Sequence, residues 1–243
     1  MGEQMGENIN IQGYLENVNA PWGQLFYLLV WHNIECEGKR ILDFGSGFGI
    51  TADHFARNNE VTAIEPNEDM LNYRICTNKY NQIVGGIEQL YSLPNQSYDM
   101  ILCHNVLEYL DNRAELLSQF KRLLKPDGIL SIVKHNKAGK IMQKAVFDYK
   151  IDEAMDLIND DKAKSANFGT INLYSNEDLI KYSFGAFRIV KVYGVRMFFA
   201  LQSNEFKMEP DWIFKMYKLE AAAEEIPEFR DIAFFHHIIL KHS

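Results

Sequence analysis

The chain has 243 residues, 47% of them hydrophobic and 24% charged, with a net charge of −8 at pH 7. That length suits one large domain with a substantial core, and the acidic balance supplies no overall attraction to nucleic acid or anionic lipid. Cys36, Cys76 and Cys103 form no CxxC pair, which argues against a disulfide framework or a thiolate zinc site and for a reduced, cytoplasmic setting.

The start, MGEQMGENIN, has no basic-then-apolar leader, and Gly6 stands where a myristoylation motif wants Ser or Thr. WGQLFYLLVWHNIE (22–35) carries apolar residues at helical spacing, and its LFYLLVW run is too short to cross a bilayer. Strands and helices then alternate. RILDF (40–44) is a strand, ITADHFARN (50–58) a helix, VTAIE (61–65) a strand, and NEDMLNYRICTNKY (67–80) a helix opened by Asn67. NQIVGG (81–86) and YDMILCH (98–104) are strands, NRAELLSQFKRLLK (112–125) a helix, and GILSIVKH (128–135) a fifth strand. KPDG (125–128) reads as a stop and a turn, Pro126 ending the helix and Gly128 supplying freedom. Strands separated by helices predict a parallel sheet covered on both faces.

Beyond Asn136 the pattern loosens. Residues 137–174 mix helical stretches with the polar NDDKAKSANFGT, an expected insertion or lid. SNEDLIKYSF restarts a helix, with Ser175 and Asp178 spaced as a capping box. FRIVKVYGVRMFF (187–199) and IAFFHHIILKH (232–242) are strand-like and flank a helix, DWIFKMYKLEAAAEEI. The expectation is one domain over 1–243: a helical cap (1–39), a ligand-binding core (40–136), the insertion (137–174), and closing helices and strands (175–243). His236 and His237 suggest no metal, because adjacent strand residues point to opposite faces. No motif specifies an oligomeric state.

The densest motif is ILDFGSGFGITADHFA. Asp43 ends a strand, and Gly45, Gly47 and Gly49 form the turn into a helix, the place where open parallel sheets bind ligands. Glycine permits unusual dihedrals there and lets a ligand approach the backbone. The third glycine comes one residue earlier than in GxGxxG, and Glu65 ends the next strand about twenty residues on, suited to a ribose diol. Both features suit a nucleoside ligand and leave NAD and S-adenosylmethionine open.

LDFGSGFG, AIEPNEDML, LPNQSYDMILCHNVLEYL and LKPDGIL, in that order and spacing over about residues 40–135, resemble the class I S-adenosylmethionine-dependent methyltransferases. The late strand pair is what that fold adds to a Rossmann-like sheet. The resemblance implies an α/β Rossmann-like fold, mostly parallel with a late antiparallel pair, and S-adenosyl-L-methionine as cofactor. It puts the loop of Gly45, Ser46, Gly47 and Gly49 beneath the cofactor's amino-acid portion and Asp43 near its ammonium. Glu65, followed by Pro66, would take both ribose hydroxyls, and Met70 would pack beneath the adenine loop. Ile87 and Glu88 would flank the adenine, and His104 and Asn105 would face the methionine part.

Three flanking stretches, GQLFYLLVW, HNKAGKIMQKAVFDY and YGVRMFF, are similar to the tRNA carboxymethoxyuridine carboxyl methyltransferases. Phe26 departs from that family, which has an arginine there that contacts the cofactor. The implied chemistry is methyl transfer to an oxygen, a carboxylate on a modified wobble uridine of tRNA or on a small metabolite, with no membrane and no metal involved. A carboxylate acceptor needs a cation to hold it. Arg196 leads because its fork suits a carboxylate, followed by Lys134, His135 and Asn136 at the end of the fifth strand. Glu65→Ala is expected to weaken S-adenosylhomocysteine binding, read by calorimetry, by about 1.5–3 kcal/mol, the scale of lost charged hydrogen bonds.

Overall fold

The computed structural model describes residues 9–243, so the readings on the leader and on Gly6 lie outside the described residues. Helix α1 (Ile11–Asn19) opens on Asn10, whose side chain accepts from the Gly13 amide, and α2 (Pro21–His32) starts with proline at its first turn. There follow β1 (Arg40–Phe44), α3 (Ile50–Ala56), β2 (Glu60–Glu65), α4 (Glu68–Leu71), β3 (Asn81–Val84), β4 (Tyr98–His104), α5 (Arg113–Leu123) and β5 (Leu124–His135). Then come α6 (Lys137–Met142), a π-helical turn (Gln143–Phe147), α7 (Ile151–Asn159), β6 (Lys162–Lys164), β7 (Thr170–Asn172), α8 (Asn176–Tyr182), β8 (Phe187–Val195), α9 (Trp212–Ala223), α10 (Pro227–Arg230) and β9 (Phe235–His242).

Seven strands form one sheet in the order β3-β2-β1-β4-β5-β9-β8, and β6 with β7 forms a separate antiparallel hairpin. β1 runs parallel to β2 and to β4, β2 to β3, and β4 to β5, while the late pair is antiparallel at the edge. This is the Rossmann-like methyltransferase sheet. Its inner strand β1 sends Ile41, Leu42 and Phe44 into the core, with Ile41 and Leu42 fully buried, as a strand covered on both faces requires.

The chain divides into two compact units. One comprises residues 35–133, 176–191 and 238–243, and the other the remaining segments up to 34, 134–175 and 192–237. The first holds β1 to β4, the glycine turn and most of β5; the second holds α1, α2, α6, α7, the β6–β7 hairpin, α9 and α10.

Three expectations need correcting. The helix of 67–80 ends after Leu71, because tertiary hydrogen bonds take the chain beyond it. The Ile75 amide donates to Phe48 O (2.8 Å), and Asn78 donates from its amide to Asp53 Oδ1 (2.7 Å) and from Nδ2 to Asp53 O (2.9 Å). KPDG does stop the helix, but it lies within β5. Tyr98 pairs with Leu124 and Met100 with Ile129, so the extra residues bulge along the strand edge. The strand expected over 187–199 stops at Val195, where Arg196 turns the backbone into the left-handed region (φ 64°). Residues 137–174 are helices and the hairpin, whose polar sequence still buries Ala163 and Ile171.

The turn after β8 is held by one carboxylate. Glu220 on α9 is fully buried and accepts from the amides of Met197 (2.9 Å), Phe198 (2.9 Å) and Phe199 (3.1 Å). Glu220→Ala would strip three amides of their acceptor. Urea denaturation is expected to show a loss of roughly 3–5 kcal/mol, each unsatisfied group costing about 1–3.

Candidate functional site

In the first unit the strand ends and the glycine turn converge on a polar cradle. Gly45, Gly47 and Gly49 have φ of 77°, 56° and 73°, a region that favours glycine. The turn is also crowded. A Cβ on Gly45 would lie 2.4 Å from Val106 Cγ2, and one on Gly49 would lie 2.1 Å from the Tyr80 hydroxyl. Glu65 anchors it from β2: Oε2 accepts from the Gly47 amide (2.8 Å) and Oε1 from the Asn67 amide (2.9 Å). Asn67 in turn caps α4 by accepting from the Met70 amide (3.0 Å), and Met70 is buried beside Gly47.

Asp43 is buried at the end of β1 with Oδ2 lacking a hydrogen-bond partner. Ser46 Oγ and Asn105 Oδ1 are buried without partners as well. Asn105 holds a left-handed backbone (φ 56°) while its amide donates to Val133 O (2.8 Å). Polar atoms buried without partners cost free energy unless a ligand completes them. Two orphan acceptors and a hydroxyl beside a glycine turn fit the ammonium and carboxylate of an amino-acid moiety.

Burial, then the charge of Glu65, pushes the Asp43 carboxyl up to about 7, against a hydrogen bond from the Ala52 amide. Burial raises Glu65 too, opposed by its two amide donors. His104, at the end of β4, lies 2.9 Å from Ser131 Oγ through Nε2, and burial pushes it down to about 3, so it is neutral at physiological pH. Sequence reasoning misses Ser131, although a hydroxyl inside the apolar run ILSIV is a signal. Val106 and Tyr80, which close over the glycines, give none.

The remaining expected cofactor residues are less buried. Pro66 is exposed. Ile87 begins a 3-10 turn, and Glu88, exposed, accepts from the Gly86 amide (2.6 Å), which holds its carboxyl below the usual range.

The four catalytic candidates lie in the second unit. Arg196 stacks against Phe234 (4.5 Å to the ring centre), Phe199 (5.1 Å) and Phe235 (5.5 Å), and its Nε is buried without a partner. Burial lowers Arg196 to about 10, with Glu220 pulling the other way, and it stays cationic at neutral pH. His135 packs on Phe235 (4.6 Å) and Phe234 (5.4 Å). Lys134 and Asn136 serve the backbone: Lys134 Nζ donates to Tyr174 O (2.7 Å), and Asn136 Nδ2 donates to Asp231 O and Ala233 O (both 2.9 Å). Phe26 sits on Phe235 (5.1 Å). His236 Nε2 lies 3.1 Å from Arg230 O. Among the described residues no group of three His, Cys, Asp or Glu could hold a metal ion, and no helix is long and apolar enough to cross a membrane.

Residues 42–132 match the family described as methyltransferase domain. The chain is 32% identical over 116 residues to a ubiquinone biosynthesis O-methyltransferase of Glaesserella parasuis, an alignment covering 42% of this chain and 48% of that one. It therefore spans about half the length of the curated relatives it matches. An S-adenosylmethionine-dependent methyltransferase of Archaeoglobus fulgidus aligns with a TM-score of 0.59 at 20% identity, over 94% of this chain and 99% of the other. One from Mesorhizobium loti aligns with a TM-score of 0.55 at 14% identity, over 92% and 99%. These structures share the fold. Residues 42–132 thus carry a methyltransferase domain, and the sheet has the fold of S-adenosylmethionine-dependent methyltransferases of solved structure.

If Asp43 pairs with the cofactor's ammonium, affinity follows its ionisation. Asp43 is protonated and neutral below about pH 7 and charged above it. Calorimetry with S-adenosylhomocysteine is expected to show affinity rising with pH, by up to about tenfold per unit between pH 5.5 and 7. Asp43→Asn would bind more weakly and lose most of that slope.

Proposed function

We propose that the protein transfers a methyl group from S-adenosylmethionine to an acidic oxygen, a carboxylate, of its acceptor. The observation that carries this reading is the buried, unpartnered Nε of Arg196 within a wall of phenylalanine rings. A guanidinium nitrogen without a partner away from water is costly, and a carboxylate satisfies it.

On this reading Asp43, Ser46 and Asn105 hold the amino-acid end of the cofactor and Glu65 supports the ribose. Glu65 already accepts from two amides, but each carboxylate oxygen has a second lone pair to offer. Ile87 and Glu88 lie at the adenine. Bound S-adenosylmethionine supplies an electrophilic methyl on its sulfonium. The acceptor carboxylate is ionised at pH 7 and requires no general base. Neutral His104 therefore has no proton to remove, and with Ser131 it shapes the end of β4. Arg196 orients the acid, so rate enhancement rests on positioning and charge placement. Lys134 and Asn136, bonded to backbone carbonyls, hold the chain around it.

For the acceptor we favour a small acid. The net charge of −8 gives no general attraction to RNA, and the curated relative is named for ubiquinone biosynthesis. The flanking similarity favours a second reading, the carboxylate of a modified wobble uridine in tRNA. Free cysteines at 36, 76 and 103 suit a reducing, cytoplasmic setting for either.

Purified protein with S-adenosylmethionine and a panel of free carboxylic acids is expected to release S-adenosylhomocysteine and an alkali-labile methyl ester. Mass spectrometry of tRNA nucleosides from a deletion strain separates the two acceptors: an unchanged profile removes the tRNA version. Cofactor binding without turnover on either acceptor would remove both.

A further inference from the structure

The second unit contains another cation that the proposed function has not used. Lys207, in a short 3-10 turn (Phe206–Met208), is 3% exposed, although its neighbours Phe206 and Met208 are 59% and 67% exposed. Its ammonium donates to Asn204 Oδ1 (2.9 Å) and sits over the rings of Phe147 (5.1 Å) and Trp22 (5.6 Å). Lys207 makes no ion pair with a carboxylate among the described residues, and Glu205 and Glu209 beside it in sequence do not reach it.

Burying a lysine without an acid is expensive, and two ring faces with one amide oxygen recover only part of the loss. The surroundings add to the cost. Burial, then the positive charge of Arg196, lowers Lys207 to about 8. The π-helical turn that carries Phe147 packs against the 3-10 turn Phe199–Leu201, and Phe199 lies under Arg196, so the ring contacts of the two cations adjoin inside one unit. Glu220, the carboxylate whose charge Arg196 feels, has both oxygens committed to the amides of Met197, Phe198 and Phe199. If Glu220 is counted as ionised, Arg196, Lys207 and Glu220 leave one positive charge over, which a monoanion would neutralise.

We propose that Lys207 is a second acceptor-binding residue, forming with Arg196 a two-cation, ring-walled clamp that selects a flat carboxylate over its neutral analogues. This rests on the carboxylate reading above and extends it by naming the residue that sets charge selectivity. The rings of Trp22, Phe147, Phe199, Phe234 and Phe235 supply apolar and π surface for a planar body, while the cations supply the discrimination against uncharged groups. A hydroxyl or amide in the same place would leave that one positive charge unneutralised, the condition under which a polar site rejects an analogue most strongly.

The test uses the full chain saturated with S-adenosylhomocysteine, with benzoate as the anionic probe and benzamide as its neutral counterpart. Binding is followed by calorimetry and by tryptophan fluorescence, since Trp22 lies against the Lys207 ammonium. Benzoate is expected to bind at least tenfold more tightly than benzamide. Lys207→Met keeps the aliphatic stem among the rings, and it is expected to weaken benzoate at least tenfold, leave benzamide unchanged and reduce the preference. Its melting temperature should match or exceed that of the parent, because removing an unpaired buried charge relieves a cost. Arg196→Met should also weaken benzoate. If it does while Lys207→Met leaves benzoate affinity intact, the clamp is overturned and the carboxylate reading stands. If the parent protein binds benzoate no better than benzamide, the carboxylate reading itself is overturned. A Lys207→Met variant that melts well below the parent assigns Lys207 to folding and overturns the clamp.

Discussion

The glycine turn depends on two carboxylates buried at the ends of adjacent parallel strands. Glu65 ends β2 and grips the Gly47 and Asn67 amides, so one side chain fixes both the loop after β1 and the start of α4. Asp43 ends β1 and takes the Ala52 amide on α3. Acids in such positions are costly: burial raises both, and the Glu65 charge raises Asp43 further. Backbone amides offset the cost for Glu65, whereas Asp43 keeps an unsatisfied oxygen. The turn is therefore built with a deficit of positive charge, which is a property of a binding site and not of a packing core.

The second unit shows the opposite sign. Arg196 and Lys207 are cations placed among rings, and the acid that would most simply pair with Arg196 is spent on the turn after β8. Removing Glu220 from pairing duty gives the chain a rigid turn and leaves the guanidinium available. One unit thus calls for a cation and the other for an anion.

Local patterns make much of this legible. The strand RILDF is buried on both faces and therefore carries Ile41, Leu42 and Phe44 in five residues, and three glycines in alternate positions mark a turn with left-handed dihedrals. Asn67 is readable as a cap because capping is a local hydrogen bond. Residues 72–80 are not readable, since their path is set by Phe48 and Asp53, which lie about twenty or more residues away along the chain. KPDG misleads for a related reason: proline and glycine report where a helix stops, yet the extended bulge beyond it is fixed by pairing with β4. Glu220 and Lys207 are invisible because an acid and a lysine in helical or turn sequence normally face water, and only tertiary packing reverses that.

Backbone strain separates the functional turns from the ordinary ones. Among the described residues, five other than glycine have positive φ: Gln96, Asn105, Tyr149, Phe184 and Arg196. Gln96, Tyr149 and Phe184 are exposed, where a left-handed turn answers only to local loop geometry. Asn105 and Arg196 are not exposed, and each also carries a buried polar atom with no partner. Each of these two residues bears two costs at once, a backbone penalty of about 1 kcal/mol or more and an unsatisfied group. A fold selected for stability alone would have removed both by placing glycine in the turn and an apolar side chain in the core. On the proposed reading both costs are met when a ligand arrives, Asn105 then facing the cofactor's methionine end and Arg196 the acceptor's acid.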